Sequence, residues 1–146
     1  MQCPKCSGEA ADFNTSDGVV VNFCRVCHGI WFDRGELALY CETEHDLPDL
    51  DLLLNQARLT PYLCPRCERT QLVEVPYMTG EDVLIDWCPQ CRGAWLDAGE
   101  ITKVEALAAR HELHAVRLQR GIRQLEEAGF GVVGVVTRDK KRRLVS

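Results

Sequence analysis

Two short runs of β-branched and aromatic residues occupy matching places in the chain. Val19-Val20-Val21-Asn22-Phe23 follows the turn signal Asp17-Gly18, and Val83-Leu84-Ile85-Asp86-Trp87 follows Thr79-Gly80-Glu81-Asp82. Each reads as a strand of a hairpin. A little further on the pattern turns helical in both places. Asp33 and Asp97 stand where N-caps belong, and Glu36 and Glu100 three residues later are placed to reach back to the cap's own N–H, the capping-box arrangement that predicts a helix start at each. The longest helical periodicity runs from about Ala98 to Ala128, with Val104, Leu107, His111, Leu118, Ile122 and Leu125 on one side. Gly121 weakens that helix by about 1 kcal/mol relative to alanine. Between the two patterns, Asp46 to Thr60 is acidic and leucine-rich, and Leu47 to Leu54 predicts a short helix with Pro48 in its first turn, packing the two halves together.

Cysteine spacing changes the picture from two hairpins to two copies of one module. Cys3-Pro4-Lys5-Cys6 matches Cys64-Pro65-Arg66-Cys67, and the run from Cys24-Arg25-Val26-Cys27 to Leu37 matches the run from Cys88-Pro89-Gln90-Cys91 to Ile101. The intervening segments differ by three residues, seventeen against twenty, which a hairpin loop absorbs and a ligand turn does not. A two-residue gap lets both sulfurs of a pair face one ion from a single tight turn, and two pairs across a hairpin complete a tetrahedron. Proline after Cys3, Cys64 and Cys88 presets the turn, and Gly8, Gly29 and Gly93 are expected to supply a left-handed residue at its exit, with Arg69 the departure in the remaining turn, Cys64–Cys67. Zinc is the ion expected, two per chain, at Cys3, Cys6, Cys24, Cys27 and at Cys64, Cys67, Cys88, Cys91; iron is the other ion that a four-thiolate shell accepts.

The run Cys-x-x-Cys-x-Gly-x-Trp-[Phe/Leu]-Asp-x-Gly-Glu-[Leu/Ile] resembles the transcription factor IIB type zinc-ribbon family, over residues 3–40 and 64–105. The resemblance implies a zinc-ribbon fold and four-cysteine zinc binding that uses all eight positions, and it implies little about function. The fold class expected is therefore a small metal-stabilised α+β protein: two tandem zinc ribbons, each a β-hairpin with a four-cysteine site followed by a capped helix, and a long C-terminal amphipathic helix. The division is 1–43 for the first ribbon and its helix, 44–61 for the linker helix, 62–103 for the second ribbon, 104–129 for the C-terminal helix, and 130–146 for an apolar stretch and basic tail.

Charge separates the ribbons from the C-terminal part of the chain. Residues 1–101 carry 7 basic and 17 acidic side chains, residues 102–146 carry 10 basic and 5 acidic, and each thiolate-bound zinc makes the first part more acidic still. An acidic body is a poor match for a phosphate backbone, so nucleic-acid contact falls to Arg138, Lys140, Lys141, Arg142 and Arg143. No apolar run reaches the length of a membrane span and no leader pattern opens the chain, so a cytoplasmic protein is expected, in keeping with thiols kept reduced for metal. A closed thiolate shell offers no open coordination position, which argues against an enzyme. Two readings of function remain: a protein-interaction or adaptor module that pairs with another protein, or with itself, through the C-terminal helix, and a nucleic-acid-binding factor in transcription or RNA metabolism that acts through the tail.

The remaining residues have plainer readings. Trp31, Trp95 and Trp87 are expected to pack over the metal sites rather than to stack on a ligand. His28 is expected at the surface, because its counterpart is Arg92. Cys41, the ninth cysteine, reads as a small buried apolar residue. His111 and His114 lack a third ligand at helical spacing, and His45 has no visible role.

Overall fold

The computed structural model describes residues 1–16 and 18–110. His111, His114, the helical stripe from Leu118 to Leu125, and the basic residues Arg138, Lys140, Lys141, Arg142 and Arg143 lie outside the described residues.

In the first copy the hairpin consists of β1 (Ala10–Asn14) and β2 (Val20–Cys24), followed by β3 (Ile30–Phe32) and helix α1 (Glu36–Cys41). A connecting segment holds α2 (Leu50–Leu53) and a 3-10 turn (Leu54–Gln56). The second copy has β4 (Arg58–Leu63), β5 (Gln71–Pro76), β6 (Leu84–Trp87) and β7 (Ala94–Leu96). Helix α3 begins at residue 100 and continues to 110, the last of the described residues.

All seven strands form one antiparallel sheet in the order β1-β2-β3-β7-β6-β5-β4. The two copies meet at its centre, where β3 pairs with β7 and Trp31 lies opposite Trp95. Side chains alternate across the sheet, so Phe32, Ala94 and Leu96 face one side and the two tryptophans face the other. On the first side Val21, Val75, Ile85 and Trp87 join Leu37 of α1, Leu47, Leu53 of α2, and Val104 and Leu107 of α3 in an apolar core. On the second side Trp31 and Trp95 pack with Ala10, Leu72 and the ligand cysteines.

Three expectations are corrected here. The helix expected over Leu47 to Leu54 shrinks to Leu50–Leu53 and the 3-10 turn, and from Arg58 the chain is strand. The free edge of β5 supplies main-chain partners that outweigh local propensity, and Pro61, with no N–H to give, is tolerated because β4 is itself an edge. Asp33 does not cap α1: the N-cap is Gly35, at φ 87°, and the N–H groups of Gly35 and Ala38 donate instead to the two carboxylate oxygens of Asp46, at 2.7 and 2.8 Å. Glu36 does accept the Asp33 N–H at 3.2 Å, and Glu100 the Asp97 N–H at 2.7 Å, so half of each capping box forms. Finally, Trp87 belongs to the helical-side core rather than to the tryptophan layer, because its place on β6 is in phase with Ile85 and out of phase with the adjacent Cys88.

Candidate metal centres

Each centre is built from two tight turns at the open end of a hairpin, one leading into its first strand and one leaving its second. In the first pair of turns the N–H of Cys3 donates to the carbonyl of Gly8 at 2.7 Å and that of Cys24 to the carbonyl of Gly29 at 2.9 Å. In the second pair Cys64 donates to Thr70 and Cys88 to Gly93, at 2.7 and 2.9 Å. Further N–H groups point at sulfur: Lys5 to Cys3, Gly8 to Cys6, Cys27 to Cys24, Cys67 to Cys64 and Cys91 to Cys88, at 3.3–3.5 Å. Donors aimed at sulfur favour the thiolate, the form that ligates a metal.

The left-handed residue that each turn requires is the one directly after its second cysteine: Ser7, His28, Glu68 and Arg92, at φ 63–65°. None is a glycine, so the role expected for Gly8, Gly29 and Gly93 is corrected. Gly29 and Gly93 are held to glycine by the opposite copy. A Cβ on Gly29 would stand 2.2 Å from Cζ2 of Trp95, and one on Gly93 would stand 2.2 Å from Cζ2 of Trp31. In the Cys64–Cys67 turn Arg69 stands in the glycine's place.

The sulfurs of Cys3, Cys6, Cys24 and Cys27 lie within 4.8 Å of one another, as do those of Cys64, Cys67, Cys88 and Cys91. Four ligands about 2.3 Å from a zinc ion would stand about 3.8 Å apart along a tetrahedron's edges. The close approaches, Cys3 to Cys27 at 3.5 Å, Cys6 to Cys24 at 3.4 Å, Cys64 to Cys91 at 3.6 Å and Cys67 to Cys88 at 3.9 Å, fit that shell. As free thiols the two quartets behave alike. Burial pushes Cys3 up to about 12 and Cys91 to about 11 and raises Cys64. Burial also works upward on Cys24, but N–H groups of Cys27 and Val26 overcome it with help from neighbouring thiols and bring it to about 6; Cys88 is lowered in the same way. In each quartet the lowered sulfur gives up its proton more readily than the raised ones, which release theirs as an ion binds. Zinc here would be a structural cross-link between the ends of a hairpin.

Around the centres the copies exchange side chains across the sheet's middle. Lys5, in the first turn of copy one, reaches Asp86 at 2.8 Å and Asp97 at 3.4 Å in copy two. Arg66, its counterpart, reaches Asn22 and both oxygens of Asp33 in copy one, each at 3.0 Å. The carboxylates are oriented by the tryptophans: Nε1 of Trp31 donates to Asp33 at 2.8 Å and Nε1 of Trp95 to Asp97 at 3.0 Å. This explains why Asp33 and Asp97 are aspartates: they brace the joint between the copies rather than cap helices.

Among the other singled-out residues, His28 is exposed, as expected, with its ring 5.7 Å from that of Phe23, while Arg92 lies 5.8 Å over the Trp87 ring. Cys41 is half-buried against the helical-side core, and burial, with Glu105 and Asp46 nearby, pushes its thiol to about 12, far from a reactive thiolate. Among the described residues no helix is long and apolar enough to cross a membrane.

Two closed four-cysteine shells, each spanning the ends of a hairpin, define a tandem zinc-ribbon protein with two structural zinc sites. The family model described as transcription factor zinc-finger, of the TFIIB zinc-ribbon type, matches residues 2–43 and 63–106, more than half of the chain, and the chain belongs to that family. Neither a curated protein nor a solved structure matches it.

Proposed function

We propose that the chain is a non-enzymatic protein-interaction module, an adaptor acting in the cytoplasm, whose zinc ions hold a rigid platform in shape. The observation that carries this reading is the stretch from Leu47 to Leu63, which runs from the connecting segment through β4. Its inward residues Leu47 and Leu53 are buried, yet Leu52, Leu54, Leu59 and Leu63 all face solvent, Leu52 and Leu59 at 71 %. Several leucines left outside on one short segment are the kind of apolar surface that partner proteins cover. The α3 residues Val104 and Leu107 serve the chain's own core, so a partner stripe on that helix would begin beyond them.

The second reading, nucleic-acid binding, draws on the family's description and on the basic residues from Arg138 to Arg143. The two are separated by capture with the zinc-loaded full chain as bait, compared with Leu59→Ser/Leu63→Ser and with alanines at Lys140, Lys141, Arg142 and Arg143. An adaptor retains a defined protein after nuclease treatment and in about 0.5 M salt, a range that strongly weakens phosphate contacts, and loses it with the leucines. Capture that vanishes with nuclease, salt or the tail alanines refutes the adaptor reading.

A further inference from the structure

The two edges of the sheet are treated differently. The edge strand β4 carries Pro61 and a register irregularity between Leu59 and Leu63, both of which discourage further pairing. The opposite edge, β1, has neither: all five residues from Ala10 to Asn14 pair in regular register with β2. Among the described residues its outer side is covered only at Ala10, whose N–H donates to the carbonyl of Met1 at 2.7 Å. Alternation along a strand turns the main-chain N–H and C=O of Asp12 and Asn14 the same way, with no strand beside them among the described residues.

The second copy shows what occupies this position. By register β1 corresponds to β5, with Asp12 matching Glu74, Phe13 matching Val75, and Phe23 matching Trp87. In copy two the outer edge of β5 is taken by β4, with Arg58 opposite Glu74, and Val75 and Trp87 are buried under the segment that follows α1. In copy one the corresponding Phe13 is 55 % exposed, its ring 6.1 Å from that of Phe23. The segment after α1 thus crosses to cover copy two, and the sequence that holds the corresponding place after the second repeat is residues 111–146.

We propose that the outer edge of β1, with Phe13 and Phe23 beside it, is the docking site for the valine-rich segment 132–137 of this same chain, main chain against main chain. The segment, Val132-Val133-Gly134-Val135-Val136-Thr137, is rich in the residues that suit a sheet edge and is followed by basic residues. Charge agrees: residues 1–43 carry 3 basic and 6 acidic side chains, and residues 111–146 carry 8 basic and 4 acidic. Reach agrees as well. Arg110 sits beside Glu81 at the β5–β6 loop, five strand spacings or about 24 Å from β1. Residues 111–131 span about 30 Å even at the rise of a helix and roughly 70 Å extended. This docking is independent of the adaptor reading, since Leu59 and Leu63 lie on the other edge.

The test is amide hydrogen exchange at Asp12 and Asn14 in the zinc-loaded full chain, with its mass in solution measured in parallel. Val135→Pro/Val136→Pro removes adjacent N–H groups, one from each alternation of the segment. Phe13→Ser alters the receptor side at a position already largely in solvent, and two zinc ions per chain confirm that either variant is folded. We expect the Asp12 and Asn14 amides of the monomeric wild-type chain to exchange about tenfold or more slowly than in both variants. Equal exchange in all three overturns the proposal. Protection that appears only with a doubled mass overturns it in favour of a second copy at this edge.

Discussion

Replacing Gly29 with alanine tests whether the tryptophans and glycines are the joint between the two copies. The added Cβ would stand 2.2 Å from Cζ2 and 2.7 Å from Cε2 of Trp95, about 1 Å inside ordinary contact. Trp95 is fully buried and is held at Nε1 by Asp97, so the ring has nowhere to swing without losing that hydrogen bond. Overpacking of a close-fitted core costs about 1–3 kcal/mol and the lost bond about 1 more, giving about 2–4 kcal/mol in all. Gly8→Ala is the control: its nearest neighbour is Cγ2 of the exposed Val26 at 3.1 Å, which can move, so its cost should stay below about 1 kcal/mol. Denaturation at a fixed free zinc concentration measures both, since the metal contributes to apparent stability by mass action. A double-mutant cycle with Trp95→Leu completes the experiment: the smaller side chain should remove most of the Gly29→Ala penalty, a coupling of about 1 kcal/mol or more between touching residues. If Gly29→Ala costs no more than Gly8→Ala, or the two changes simply add, the glycine is there for its own turn and the reasoning fails.

Further outcomes rest on the same contacts. Lys5→Ala leaves the Asp86 carboxylate buried without its cation and should cost about 2–4 kcal/mol in chemical denaturation, and adding Asp86→Asn should recover part of it, as the Asn22 side of the joint already holds an amide. Asp46→Ala removes the acceptor for two N–H groups at the start of α1 and should cost about 1–2 kcal/mol in the same assay. Glu36 and Glu100 are pushed to about 7, first by burial and then by the neighbouring aspartates, so each takes up a proton on folding between the ordinary carboxylate range and about 7. Their contribution is present in full at lower pH and is lost as pH rises toward 7. Glu36→Gln and Glu100→Gln should therefore stabilise the zinc-loaded protein at about pH 8, by no more than about 1 kcal/mol each after solvent screening, with the gain shrinking on acidification in thermal melts; a gain that grows as the pH falls refutes the assignment. Chelation of zinc should collapse the near-ultraviolet signal of Trp31 and Trp95, which pack on the ligand cysteines, and a chain that keeps that signal with all eight thiols free contradicts a structural role for the metal.

The eight ligands are legible in the sequence because a Cys-x-x-Cys turn is local, and the duplication fixes which pairs cooperate. The joint between the copies is not, because it is made of residues whose local roles look sufficient. Gly29 reads as a turn glycine and Asp33 as a cap, and Lys5 gives no signal of its own, yet each is spent on the other copy. A signal is present: Trp follows the glycine by two residues at Gly29 and Gly93 but not at Gly8, so glycine and tryptophan recur together only where the turn leads into the central strands. β3 and β7 are three residues long, too short for periodicity to announce a strand. Adjacency to Cys88 misplaces Trp87, whose phase with Ile85 decides its side of the sheet. The leucines of the linker suggest helix, whereas Leu59 and Thr60 obey the demand of the β5 edge.

The joint is reciprocal: what Lys5 does toward Asp86 and Asp97, Arg66 does toward Asn22 and Asp33, and each glycine receives the other copy's tryptophan. A surface that carries both halves of its own complement is the kind two identical ribbons would use to pair about a twofold axis. The two sides nevertheless differ. Lys5 faces a buried carboxylate at Asp86, whereas Arg66 faces a neutral amide at Asn22, so exchanging the partners would place Lys5 against Asn22 and leave Asp86 to a different cation. That mismatch favours pairing within the chain, and the 44–63 segment adds to it by pairing β4 with β5 of copy two alone. Joined at β3 and β7, the copies present seven strands as one body, and a metal site lost from either half removes support from the tryptophan of the other. Cys24→Ser should accordingly lower the zinc affinity of the intact quartet at Cys64, Cys67, Cys88 and Cys91, measured by chelator competition; an unchanged second affinity would mean that the copies share a sheet without sharing stability.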